Sequence, residues 1–228
     1  MPSAGRWITT FWRRLGSILA NLIATMGLAL LAWGPGDVTG FFTAPARMLF
    51  AALVIVQSVV SGYLAPVLPR IDVPKHSDPL THWRLIALET ILVLSVYSDR
   101  SGMIVMAEWL PLRLIGLVIF AAGAAWSTWS SAIYRRHFHL APADPSELGF
   151  ITKGPYRYIR YPIALGSVIR SLGIALTFRS WVGLALISLL LTVALLRIRE
   201  EERWASRTFG VVWHDYSRRS WRLLPPVY

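Results

Sequence analysis

The sequence predicts an all-α, polytopic helical membrane protein with five to six transmembrane helices, a C-terminal helical hairpin and a cytoplasmic tail. Three observations predict it. Of 228 residues, 55% are hydrophobic and only 15% charged, and the mean hydropathy is +0.51; soluble domains run at about 45–50% and about 25%. The apolar residues gather into six stretches, roughly 15–33, 46–68, 84–98, 110–134, 161–178 and 180–198. The basic residues gather between alternate stretches, on one side of the implied membrane. High hydrophobicity excludes a disordered chain. The absence of cysteine excludes disulfides, thiolate metal sites and thiol nucleophiles.

A helix needs about 20 residues to cross the hydrocarbon core. The first, second and fourth stretches meet that length. The third is short and carries Glu89. The fifth and sixth meet at Phe178-Arg179-Ser180 and read as a tight helical hairpin, each half crossing fully or only dipping in. Arg6, Arg13 and Arg14 precede the first stretch, as in a signal peptide. That stretch is too long for a signal core and no small-x-small site follows it, so it is expected to be an uncleaved span.

The net charge is +11, and the basic residues are mostly arginine. Eighteen flank one side: the N-terminus, the segment between spans two and three, the segment between four and five, and the C-terminal region. Four lie on the other side: Arg47, Arg100, Arg113 and Arg179. The positive-inside rule then expects an even number of crossings, with both termini cytoplasmic. Nucleic acid is not an expected partner, because the charge is spread over membrane flanks and no binding motif is present. The bilayer is.

The chain divides into 1–134, spans with little chemistry, and 135–228, richer in polar and special residues. Residues 141–149 form a Pro- and Gly-containing connector. An amphipathic helix is expected to extend span six from Arg197 to about Phe209 and to end near Gly210.

Three segments carry candidate chemistry. Gly154-Pro155-Tyr156-Arg157-Tyr158-Ile159-Arg160-Tyr161-Pro162 places tyrosines and arginines at the mouth of span five. This composition also suits an interfacial aromatic belt. Arg199-Glu200-Glu201-Glu202-Arg203 puts three carboxylates at the end of span six, where the helix dipole favours cations. Neighbours on a helix point about 100° apart, so the three cannot share a face. One could face a ligand while another pairs with arginine; a solvated charged helix is the plainer reading. Phe209-Gly210-Val211-Val212-Trp213-His214-Asp215-Tyr216, then Arg222, reads alone as a tail docked on the membrane surface.

Taken together, residues 148–225 resemble the isoprenylcysteine carboxyl methyltransferase and phospholipid methyltransferase group of integral membrane enzymes. Glu201, Glu202, Phe209, Gly210, Tyr216, Arg222 and Pro225 fall in register with that group's pattern. The first half of the chain offers no comparable match. The resemblance implies an S-adenosylmethionine site without a Rossmann fold, on the cytoplasmic side, and a lipophilic or lipid-linked acceptor entering from the bilayer. It implies Arg160, Tyr161, Glu201 and Glu202 around the cofactor, with Tyr156, Gly166 and Arg222 in support; Arg160 and Glu201 are the candidate catalytic residues. Two positions depart from the pattern: Tyr161 stands where the group has histidine, and Ala164 where it has tyrosine. Trp213 replaces a further tyrosine. A phenol donates a hydrogen bond but carries no positive charge. Two other readings therefore stand beside the methyltransferase: a degenerate member serving as a membrane subunit with a protein partner or as a lipid-binding protein, and an NADPH-dependent membrane reductase.

Outside these segments, Arg170 and Glu89 are ionisable groups within apolar stretches. Such groups pair, face the protein interior or line a cavity, so a shared Arg170–Glu89 site is one expectation. His137 and His139 lack a nearby third ligand, and no metal site is expected.

Overall fold

The computed structural model describes residues 4–64, 79–139 and 151–223. The 141–149 connector and Pro225 lie outside them. The described residues are helical, with no strand. Helix α1 (Ala4–Leu22) runs through one π turn (Ile23–Gly27) into α2 (Leu28–Trp33). After the short α3 (Val38–Phe41) come α4 (Pro45–Leu64), α5 (Pro79–Ser101), α6 (Leu110–His139), α7 (Pro162–Thr177) and α8 (Trp181–Arg218).

Thr9–Trp33, Pro45–Leu64, Leu110–His137 and Trp181–Arg218 are long and apolar enough to cross a membrane. The third predicted stretch is longer than the sequence suggested, because α5 continues outward to Pro79 and Ser101. At 16 residues, α7 spans about 24 Å, short of the about 30 Å hydrocarbon core. Its start is set by Pro162 at the first helical position, where the missing N–H costs nothing. Its end is set by Arg179, at φ 52°. Ser180 then caps α8, accepting a bond from the Gly183 N–H at 2.9 Å. The predicted tight hairpin is present. The expected stop near Gly210 is not: the helix kinks there, at φ 47° and ψ −117°, and continues to Arg218. Glycine tolerates that left-handed geometry and thereby re-aims the final turns instead of ending them.

The closest packing in the fold is between α6 and α7. Gly116 and Gly123 on α6 face Gly173 and Gly166 on α7, each against the carbonyl of its counterpart. A Cβ at any of the four would lie closer than 3.0 Å to an atom of the opposite helix. Small residues let two backbones approach to van der Waals and Cα–H···O contact, the usual basis of helix association in lipid.

The two ends of the bundle are tied differently. At one end Asp99, with its side chain 0% exposed, is shared by three arginines. Arg113 Nη2 donates to its Oδ1 at 2.8 Å, Arg179 Nη2 at 2.9 Å, and Arg47 Nη1 to Oδ2 at 3.4 Å. Glu108 takes second bonds from Arg113 and Arg179, and Arg100 pairs with Asp37 at 2.7 Å. The four arginines that the sequence set apart thus gather at one end, each on a carboxylate. Beneath them Phe50 packs on Phe120 and Phe178 at centroid distances of 5.0 and 5.1 Å. The α5–α6 connection is stitched to the α7–α8 turn by the Val105–Ser180 bridge. The opposite end carries Arg160, Glu202 and Arg222.

Three substitutions test this architecture. Gly123→Leu should destabilise the protein by about 2–3 kcal/mol through overpacking. Gly16→Leu, in open space, should change stability by no more than about 0.5 kcal/mol. Asp99→Asn should cost about 3–5 kcal/mol, because three buried arginines lose their shared counter-charge. Thermal unfolding in detergent reads all three.

Candidate functional site

The site end is assembled from three segments far apart in sequence. Gly154 (φ 59°) opens a 3-10 turn, Gly154–Arg157, that leads through Tyr158–Tyr161 into α7. Beside it the chain after α8 folds back. The Arg160 N–H donates to the Trp221 carbonyl at 2.8 Å, the Tyr161 N–H to Arg222 at 3.2 Å, and the Trp221 N–H to Tyr158 at 2.8 Å. The tail, which its sequence alone read as docked on the membrane surface, is tied to the protein itself. It pairs in parallel with the mouth of α7, through the Ile159–Trp221 bridge. Ile159, Leu165, Ile198 and Leu223 form the apolar cluster under this junction.

Arg160 is its keystone. Its side chain is 9% exposed and every guanidinium nitrogen is engaged. Nε and Nη2 contact Glu202 Oε1 at 3.2 and 3.0 Å. Nη1 donates to the carbonyls of Ser217 (2.7 Å) and Ser220. Ser217 belongs to the last turn of α8 and Ser220 lies just beyond it, at a helix end where unpaired acceptors and the dipole both favour a cation. Arg222 closes the other side of Glu202, with Nη2 at 2.7 Å from Oε2 and Nε at 3.1 Å from Oε1. One carboxylate, 12% exposed, thus holds the α7 mouth and the tail together. Arg160 also lies over the Trp213 ring at 5.9 Å.

The three consecutive glutamates diverge, as helical geometry requires. Glu200 pairs outward with Arg203 at 2.7 Å. Glu201 pairs with Arg197 at 2.6 Å, one turn back on α8, and stays 42% exposed. Its charge is nonetheless felt by Tyr134, Tyr156 and Tyr161. Glu202 faces the two arginines. Burial, followed by the Glu201 and Glu202 carboxylates, holds the Tyr161 phenol well above the ordinary tyrosine range. Burial does the same for Tyr156, whose hydroxyl donates to Ser130 at 3.4 Å and whose carbonyl accepts from the Tyr216 hydroxyl at 2.9 Å.

Of the sequence candidates, Arg160, Glu202 and Arg222 form one contact network, with Tyr161 adjacent through its backbone and Glu201 and Tyr156 bordering it. Gly166 stands elsewhere, in the seam with α6 against Ser127 Oγ, and packing alone accounts for its lack of a side chain. Sequence reasoning did not single out the tail serines: Ser217 and Ser220 contribute carbonyls, which no side-chain pattern encodes. Beside the clamp lies a cavity of about 410 Å³ lined by Arg199, Glu202, Arg203, Ser206, Arg207, Trp213 and Arg222.

The model of the phospholipid methyltransferase family matches residues 112–211. The match begins in α6, upstream of where the sequence pattern was recognised, so the resemblance is not confined to the second half. This fits the α6–α7 seam, which makes the two helices one packing unit. It stops short of the tail residues Tyr216 and Arg222. No curated protein matches the chain.

Glu202→Gln removes the charge that two arginines share. The tail should then detach more often, and limited trypsin digestion should cleave at Arg218, Arg219 or Arg222 several-fold faster than in the wild type. Because the Tyr161 phenol is held neutral, the spectral difference between wild type and Tyr161→Phe should show no tyrosinate through about pH 10, the ordinary tyrosine midpoint. A tyrosinate signal from Tyr161 below that pH would contradict its burial.

Proposed function

We propose that this chain, which carries a phospholipid methyltransferase region over residues 112–211, transfers a methyl group from S-adenosylmethionine to a lipophilic or lipid-linked acceptor. The family match and the apolar helices support reading it as an integral membrane protein of that family. The finer reading rests chiefly on one observation: the segments that the family pattern singles out, distant in sequence, converge on the Arg160–Glu202–Arg222 clamp beside a cavity of about 410 Å³. Both termini are taken as cytoplasmic from the distribution of basic residues.

The lining suits the cofactor's chemistry. Trp213 presents an aromatic ring for a base. Arg199, Arg203 and Arg207 supply cations for a carboxylate. Glu202 and Ser206 supply acceptors for hydroxyl or ammonium groups. When bound, S-adenosylmethionine supplies an electrophilic methyl group on a sulfonium. The protein's task is then mainly positioning, because an in-line displacement depends on alignment. Arg160 acts here as a positioning residue, since its nitrogens are committed to Glu202 and the end of α8. Glu201, half-exposed and next to three tyrosines, is the carboxylate best placed to face an acceptor arriving from the bilayer side. Tyr161 keeps its proton and offers a neutral hydrogen bond where histidine would offer a charge.

A second reading, a family member that no longer transfers methyl groups, is favoured by the same clamp, because both oxygens of Glu202 are already engaged by arginine. Calorimetric titration of the full-length protein in detergent separates the two. The methyltransferase reading predicts saturable S-adenosylmethionine binding that Glu202→Gln weakens by about tenfold, the effect of one lost charged contact. No heat at millimolar cofactor would overturn it.

A further inference from the structure

A further polar region lies inside the bundle. A cleft of about 370 Å³ runs between α1, α4, α5, α6 and α7. Its wall is unusual for an intramembrane surface, combining Gln57, Ser127, Ser131, Arg135 and Arg170 with the apolar Leu88. Arg170 is held there by its backbone: its N and Cα sit against Gly123 in the glycine seam. It lies eight residues into α7, about 12 Å along the helix from Pro162. Its Nε is sealed from solvent without a hydrogen-bond partner, as is Ser127 Oγ on the facing helix. Glu89 on α5 exerts an electrostatic pull on it. Among the described residues, however, no ion pair joins them. The shared Arg170–Glu89 pair that the sequence allowed is thus not formed. A guanidinium in a membrane interior requires a counter-charge. The cleft is large enough for a small polar headgroup, and Arg135 stands at its outer end as a second cation.

We propose that this cleft binds the headgroup of an anionic phospholipid, with its phosphate on Arg170 and Arg135 and its acyl chains leaving past Leu85, an exposed apolar residue of its wall. The proposal does not rest on the methyl-transfer reading, since none of these residues belongs to the Arg160–Glu202 clamp. Phosphate suits the site because guanidinium groups bind it in a planar, bidentate manner. An acylated ligand suits it because the cleft is reached from within an apolar bundle.

The test is equilibrium binding to the purified full-length protein in detergent micelles, titrated separately with dioleoylphosphatidylglycerol, dioleoylphosphatidylcholine and glycerol 3-phosphate. Phosphatidylglycerol should bind at least about tenfold more tightly than phosphatidylcholine, a ratio that one desolvated charge contact supplies. Glycerol 3-phosphate should bind more weakly than phosphatidylglycerol; equal binding would point to a soluble phosphate ligand and overturn the lipid assignment. Arg170→Gln should abolish the preference for the anionic lipid, and Arg170→Lys should retain part of it. Arg135 is exposed, so Arg135→Gln serves as the variant that folds even if Arg170→Gln does not; it should weaken phosphatidylglycerol binding about threefold. Equal binding of the two lipids by the wild type, or unchanged selectivity in Arg135→Gln and in any folded Arg170 variant, would overturn the proposal.

Discussion

The glycine seam between α6 and α7 is the constraint on which the rest of this structure depends. Helix α7 is too short to be placed by a full crossing of the bilayer. It is placed by backbone contact with α6, through glycines seven residues apart on both helices. In lipid there is no hydrophobic gain from pairing two apolar helices, so close approach has to supply the association energy. Once α7 is fixed, two consequences follow. Its first residue, Pro162, presents Tyr158–Tyr161 to the returning tail. Its middle residue, Arg170, is held against the cleft with no room for its backbone to withdraw.

The two ends of the bundle solve one electrostatic problem in two ways. At the Asp99 end a buried carboxylate gathers three arginines, and their remaining donors go to carbonyls of Phe41, Thr177 and Met106. That end is closed and fully committed, the pattern expected of a structural tie. At the Glu202 end a carboxylate gathers two arginines, but Arg222 stays 37% exposed and a cavity borders the pair. A shared carboxylate beside open space can be rearranged by a ligand; one enclosed by four helices cannot without loss of the fold. This contrast fits a structural role for the first cluster and supports the site proposed at the second.

Much of this was legible in the sequence, for identifiable reasons. Apolar length and arginine placement marked the spans and separated Arg47, Arg100, Arg113 and Arg179 from the rest. The divergence of Glu200, Glu201 and Glu202 followed from helical geometry alone. Other features were hidden because they depend on tertiary context. The 7-residue glycine spacing is visible only once α6 and α7 are known to be neighbours. Gly210 read as a stop, yet a glycine in left-handed geometry can equally turn a helix that tertiary contacts prolong. The pairing of Tyr158–Tyr161 with Trp221–Arg222 uses backbone groups, and Arg160 is satisfied by carbonyls, so neither leaves a side-chain signature. The Asp99 hub was missed because one aspartate at a helix end does not announce three partners from distant segments.

The central claim is that the Arg160–Glu202–Arg222 junction and its neighbouring cavity form the cofactor site. Hydrogen–deuterium exchange of the full-length protein, with and without millimolar S-adenosylmethionine, tests it most directly. The account predicts slowed exchange confined to residues 154–161, 199–207 and 213–222, with residues 99–113 at the Asp99 end unchanged. Unaltered exchange across those three segments, or protection appearing only at the Asp99 end, would contradict it.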